Sequence, residues 1–154
     1  MAIKRARAYL KQFGMDDRVM EFPVSSATVE LAAEAAGVIP ARIAKSLSFM
    51  TPEGPVLVVT AGDMKIDNAK FKAFFHCKAK MLGREDVGRL IGHDVGGVCP
   101  FGIEDGVRTF LDVSMKRFDT VFPACGSDNS AIELSCDELE RVSQGFAGWI
   151  DVCK

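Results

Sequence analysis

Gly92-His-Asp-Val-Gly-Gly-Val-Cys-Pro-Phe-Gly102 holds four glycines and one proline in eleven residues. A segment of that composition bends sharply and lets another group come close to its main chain. Unshielded amide N–H groups on it can point at a developing oxyanion or an attacking water, which is hydrolytic chemistry done without side chains. A tight structural turn has the same composition. The segment is neither G-x-G-x-x-G nor a P-loop, because no Gly-Lys-[Ser/Thr] follows. Lys45, within Ile43-Ala-Lys-Ser-Leu-Ser-Phe49, is the second candidate. Strand alternation puts it on one face with Ile43, Leu47 and Phe49. A lysine there either snorkels to the edge of the apolar surface or meets an anion.

Cys99 lies inside the glycine segment, and His93 precedes it by six residues. A thiolate nucleophile with an imidazole base is therefore a further alternative. Against it, an isolated cysteine commonly serves as a small apolar core residue. His76 follows the Phe74-Phe75 pair and reads as a helix-end residue. No cluster of His, Asp, Glu or Cys has metal-ligand spacing, so neither a metal nor another cofactor is expected. Pro123-Ala-Cys-Gly-Ser-Asp-Asn-Ser-Ala131 is a polar turn that suits a structural role and a pocket rim alike.

The elements that must position these residues follow from periodicity and punctuation. Ile3, Ala6, Leu10 and Phe13 form one face of a helix over 2–13, stopped by Gly14. A short strand over 18–22 ends at Pro23. Ser26 or Thr28 caps a helix through Ala36 that ends at Gly37. Strand patterns over 44–50 and 55–61 flank Thr51-Pro-Glu-Gly, which reads as a β-hairpin. Asp67 caps a helix over 68–76; a short strand near 79–82 and a helix near 84–91 follow. The remainder supplies strands near 108–113, 119–124 and 130–135, a helix near 137–144 and a final strand near 149–152. Recurring hairpins without regular βαβ alternation predict an α+β fold with a mixed, largely antiparallel sheet.

The 154 residues suit one domain over 1–154, and 48% apolar content with eleven Phe excludes intrinsic disorder. No apolar run is long enough to cross a bilayer, and no membrane partner is expected. The basic N-terminal stretch lacks the apolar region of a secretory signal. Five cysteines without C-x-x-C spacing fit a reduced, cytoplasmic setting. The net charge of −2 hides a lopsided distribution: residues 65–84 hold six basic side chains against Asp67, whereas 125–154 hold six acidic against two basic. The basic stretch is compatible with a polyanionic ligand, and an ordinary solvated face explains it as well.

Lys45-Ser46-Leu47, the Gly96-Gly97-Val98-Cys99-Pro100-Phe101-Gly102 loop and the late Thr120-Val121-Phe122…Ile132-Glu133-Leu134 together resemble the YbaK/EbsC family. These are free-standing relatives of the editing domain of bacterial prolyl-tRNA synthetases. The resemblance runs from about Arg18 to Arg141 and also matches Asp67 and Asp112. It implies a partly barrel-like mixed sheet surrounded by helices. It further implies hydrolysis of the ester of a mischarged aminoacyl-tRNA, typically tRNA-Pro carrying a small amino acid, with neither metal nor covalent nucleophile. Water attacks with help from the loop backbone and a ribose hydroxyl of the tRNA.

On that resemblance the catalytic positions are Lys45, Gly96, Gly97, Val98 and Pro100. Lys45 holds the terminal phosphate or the substrate carbonyl, and N–H groups around Gly96–Val98 meet the oxyanion or water. Substrate contacts are expected from Phe22, Thr28, Ser46, His93, Gly126, Asp128 and Ser130. Lys65, Lys70, Lys72, Lys78 and Lys80 are the expected tRNA contacts, with a synthetase as a further partner and DNA not a ligand. The acidic pocket position of YbaK falls on Ala131, so cysteine specificity does not carry over. A non-catalytic module that binds aminoacyl-tRNA or a nucleotide is the alternative function.

Overall fold

The computed structural model describes residues 2–154. Its helices are α1 (Ala2–Lys11), α2 (Val29–Ala36), α3 (Asn68–Phe75), α4 (Arg84–Leu90) and α5 (Cys136–Val142). Strands β2 (Ile43–Thr51) and β3 (Gly54–Ala61) form the hairpin expected of Thr51-Pro-Glu-Gly. Thr51 closes the turn with its own hydroxyl, which donates to the Gly54 carbonyl at 2.7 Å and accepts from the Glu53 N–H at 3.2 Å. β4 (Arg108–Asp112) runs parallel to β3, and β8 (Phe146–Ile150) parallel to β4. On the other side of the hairpin β5 (Thr120–Pro123) runs parallel to β2, and β7 (Leu134–Ser135) antiparallel to β5. The six strands, in the order β7-β5-β2-β3-β4-β8, curl into a mixed half-barrel. β1 (Met20–Glu21) and β6 (Ser130–Ala131) pair separately.

Period-two alternation divides the apolar residues of the sheet between two layers. Val59, Ala61 and Leu111 pack with Ala6 and Leu10 of α1 and Leu139 and Val142 of α5. Val56, Val58 and Phe110 pack on the other side against Phe71 and Phe75 of α3. Phe71 is fully buried, with ring centroids 4.8 Å from Phe49 and 4.5 Å from Phe75.

Local capping signals formed as read. The Thr28 hydroxyl accepts from Leu31 N–H at 3.2 Å to start α2, and Gly37 ends it in the left-handed region at φ 72°. Asp67 accepts from the Ala69 and Lys70 N–H groups at 3.0 and 3.1 Å to start α3. Asp112 is buried and joins two segments, accepting from Ser114 and Val152 N–H at 3.0 and 2.9 Å. Both aspartates are thus structural.

Several boundaries differ from the sequence reading. The first helix ends at Lys11, and the strand placed over 18–22 is a 3₁₀ turn at Asp16–Arg18 followed by β1. The strand placed over 130–135 is two, because Ser130–Ala131 pair with β1 and Leu134–Ser135 with β5. Between them, Ile132 N–H donates back to the Pro123 carbonyl at 3.0 Å. Residues 79–82 contribute one bridge, Met81 to Phe49.

Candidate active site

The outer edge of β2 changes partner part-way along its length. At Ile43 and Ala44 it pairs with β5. At its other end Met50 N–H donates to the Lys80 carbonyl, and Leu82 N–H to the Ser48 carbonyl, each at 3.0 Å. These bonds show that even-numbered residues of β2 turn their main-chain polar groups to this edge. Ser46 lies between the two partners and is paired to neither. A cavity of about 310 Å³ opens at that interval.

Lys45, Ser46, Ser26, Thr28, Gly96, Val98 and Ser130 all line this cavity, among mostly apolar neighbours such as Ile43, Val87 and Phe122. Lys45 is half-buried, and its ammonium donates to the main-chain carbonyls of Met64 and Gly62. Burial pulls its pKa below the ordinary lysine value, opposed by the carboxylates of Asp63 and Glu30. An ammonium has three donors, so two carbonyl contacts leave one for a ligand. Among the described residues it is the one charged side chain lining the cavity.

The glycine segment is held from behind. Gly97 N–H donates to the Asp94 carbonyl, and its own carbonyl accepts from Gly126 N–H, both at 3.0 Å. A Cβ on Gly97 would come within 2.6 Å of the Gly126 carbonyl carbon, so the two backbones touch. Gly126 in turn rests against α1, where a Cβ would meet the Ala2 carbonyl oxygen at 2.5 Å. Gly102 is closed off by α1 too, its Cβ position lying 2.6 Å from the Arg5 carbonyl oxygen. Gly96 has φ 98° and faces the cavity. Among the described residues, no carbonyl accepts from the Gly96 or Val98 N–H. Two residues whose amide donors are unpaired and one lysine therefore line one cavity, residue types that can stabilise an oxyanion beside an anionic ligand.

Other expected site residues have different places. Gly97 has its N–H spent on Asp94, so that N–H is not free for the oxyanion contact expected of it. Pro100 is buried, and its carbonyl accepts from Gln144 N–H at 2.9 Å. His93 is buried too, 1% exposed, and does not line the cavity. Its Nε2 lies 2.7 Å from the Phe101 carbonyl and 3.4 Å from Cys99 Sγ. Burial pulls the His93 pKa down and pushes the Cys99 thiol up to about 12. A neutral imidazole that donates from the nitrogen facing sulfur cannot also take the thiol proton there. The Cys99–His93 pair is packing, not a dyad.

Phe22 borders a separate surface hollow with Val24 and Leu31. Gly126 supports Gly97, while Asp128 is exposed and accepts from the Ser26 N–H through its main-chain carbonyl. The Thr28 hydroxyl is spent on capping, and the Ser130 hydroxyl lies 2.7 Å from Ser127 Oγ. Ser26 is a cavity residue that the sequence offered as an alternative cap; Thr28 took that role and left the Ser26 hydroxyl free.

Lys65, Lys70, Lys72, Lys78 and Lys80 are all exposed. Lys70 is held by Asp151 at 3.1 Å and by the Cys153 carbonyl at 3.0 Å, and the Lys65 main chain pairs with Lys154. Lys72, Lys78 and Lys80 make no ion pair among the described residues. Lys80 adjoins Met81, which lines the cavity.

Comparison with known proteins places this geometry. The aminoacyl-tRNA editing domain family matches residues 24–142. The uncharacterized protein YwhH of Bacillus subtilis is 53% identical over 156 residues, spanning 100% of this chain and 98% of its own. A proline–tRNA ligase of Thermotoga maritima is 35% identical over 90 residues, 58% of this chain but only 15% of the ligase. A crystal structure of a candidate trans-editing enzyme for prolyl tRNA synthetase superposes with a TM-score of 0.87 at 26% identity, over 99% of this chain and 97% of that one. Among the described residues no helix is long and apolar enough to cross a membrane. By the extent of the family match and the YbaK-like half-barrel, the chain belongs to the aminoacyl-tRNA editing domain family.

Proposed function

We propose that the chain is a trans-editing deacylase that frees a small, wrongly attached amino acid from tRNA, with tRNA-Pro as the carrier. The observation that carries this reading is the convergence of the Lys45 ammonium with the unpartnered Gly96 and Val98 N–H groups on one cavity. An aminoacyl ester is already activated, so positioning a water and stabilising the tetrahedral oxyanion suffice. Water oxygen bonds to the ester carbon, and the negative charge that develops on the carbonyl oxygen is met by the two amides. The bond to the ribose oxygen then breaks, and that oxygen leaves with a proton delivered from the attacking water. Lys45, protonated and braced by the Gly62 and Met64 carbonyls, holds the terminal phosphate or the carbonyl. Lys72, Lys78 and Lys80 meet the acceptor end.

The test is deacylation of a panel of mischarged tRNAs, Ala-tRNA-Pro included, against spontaneous ester loss. Turnover above that background supports the reading. Tight binding without turnover would instead assign a non-catalytic aminoacyl-tRNA binding module.

A further inference from the structure

The two carbonyls that receive the Lys45 ammonium, those of Gly62 and Met64, lie in one turn. Met64 N–H closes it by donating to the Ala61 carbonyl at 3.1 Å. Asp63, between the two carbonyls, is exposed, so core packing does not fix it. The 3₁₀ turn Val113–Arg117, distant in sequence, grips it instead. Ser114 Oγ accepts from the Ala61 N–H at 3.2 Å. The Arg117 guanidinium donates to both Asp63 carboxylate oxygens, at 2.6 and 3.1 Å, and its Nε donates to the Ser114 carbonyl at 2.7 Å. All three guanidinium nitrogens are engaged, in a fork that fixes direction as well as distance.

The Arg117 and Asp63 side chains are 44% and 40% exposed, and an ion pair so open to water adds little to stability. Its place says more than its energy. Lys45 lines the cavity and Arg117 does not, yet the pair grips the residue between the two carbonyls that hold the ammonium. The Arg117 hydrogen bond holds the Asp63 carboxyl below its ordinary pKa, which keeps the clamp charged. Asp63 in turn favours the charged form of Lys45. Burial lowers the Lys45 pKa most; the Cys153 side chain, Asp63 and Glu30 oppose that, and Lys65 adds to it. We propose that Arg117 is a positioning residue: by clamping Asp63 it holds the Gly62 and Met64 carbonyls in place and so fixes where the Lys45 ammonium stands. Its bearing on turnover rests on the deacylase reading above.

The experiment has two readouts on the full chain, for wild type, Arg117→Ala and Asp63→Asn. The first is the rate at which an amine-acetylating reagent labels each lysine, mapped by mass spectrometry. A released Lys45 should be labelled several-fold faster in both variants, with Lys65, Lys72 and Lys78 unchanged. The second is single-turnover deacylation of Ala-tRNA-Pro, which should slow about tenfold, the scale of a misplaced group. Melting temperature should fall by only a few degrees, and Arg117→Lys, which keeps the charge and one donor, should recover part of the rate. Unchanged Lys45 labelling overturns the inference. Faster labelling of all lysines alike, or early melting of both variants, gives the pair a fold-holding role and overturns it too. Faster Lys45 labelling with normal turnover removes Arg117 from the reaction and overturns it as well. All of these leave the deacylase reading standing, whereas a wild-type chain that turns over no mischarged tRNA overturns that reading itself.

Discussion

The Gly97 carbonyl accepts from Gly126 N–H at 3.0 Å, and the two backbones lie so close that a Cβ on Gly97 has nowhere to go. The Gly97 N–H is spent on Asp94, so this glycine serves the glycine loop by holding it in place. Gly97→Ala must push the 126–127 backbone away, at about 1–3 kcal/mol for overpacking of this kind. Melting temperature and turnover should fall together. Thermal unfolding and single-turnover deacylation on the same preparation check this, and an early-inactivated variant with unchanged melting would return Gly97 to the chemistry.

Lys45→Ala should keep the fold and lose activity. The ammonium braces only the turn at 62–64, whereas the hairpin beneath it is held by a ladder from Ala44–Ala61 to Thr51–Gly54. Removing one charge-assisted contact should cost about 1.5–3 kcal/mol of transition-state binding, roughly ten- to more than a hundredfold in rate. A folded variant with near-normal turnover removes Lys45 from the mechanism.

Cys99→Ser should remain active. The thiol is fully buried, is pushed up to about 12 by that burial, and does not line the cavity. In the native protein it should resist iodoacetamide, since thiolate is the reactive form. Peptide mapping after alkylation, alongside the variant's deacylation rate, is the check. Loss of turnover in a folded Cys99→Ser protein would restore a thiol mechanism.

The Arg18–Glu138 pair gives a pH-dependent prediction. Arg18 donates to Glu138 at 2.8 Å, and Glu138 also accepts from Ser135 N–H at the start of α5. The Arg18 hydrogen bond, then the Ser135 N–H, hold the Glu138 carboxyl down at about 2. A lowered folded-state pKa contributes stability above the unfolded value of about 4.5, lost as pH falls towards about 2. The pair is about one-third exposed, so solvent screening limits it to about 0.5–1 kcal/mol. Arg18→Ala should be less stable by that amount at pH 7, and the gap should close near pH 2. Urea unfolding at both pH values measures it.

What could be read from the chain in advance was mostly local. Thr51-Pro-Glu-Gly and the Thr28 and Asp67 caps act within a few residues of themselves, and each formed where expected. Lys45 was legible because a charge interrupts an apolar strand face. The opening beside Ser46 was not, since it exists only because Phe122 reaches Ile43 and Met81 reaches Phe49, partners far apart in the chain. His93 was misplaced for a related reason: its imidazole turns inward to the Phe101 carbonyl, and composition carries no sign of that direction. The free hydroxyl of Ser26 became visible only once Thr28 was seen to cap α2.

The support given by α1 to the glycine turns separates two kinds of boundary in this molecule. The family match begins at 24, after α1 has ended at Lys11. Yet the Ala2 and Arg5 carbonyls close the space behind Gly126 and Gly102, and Gly126 closes the space behind Gly97. The stretch that matches the family is therefore smaller than the mechanical unit. An insert cut to residues 24–142 and grafted into another protein would carry every cavity-lining residue described but lack the abutment of its glycine loop. Its host would have to supply a helix at that spot before the graft could hold its amides in line.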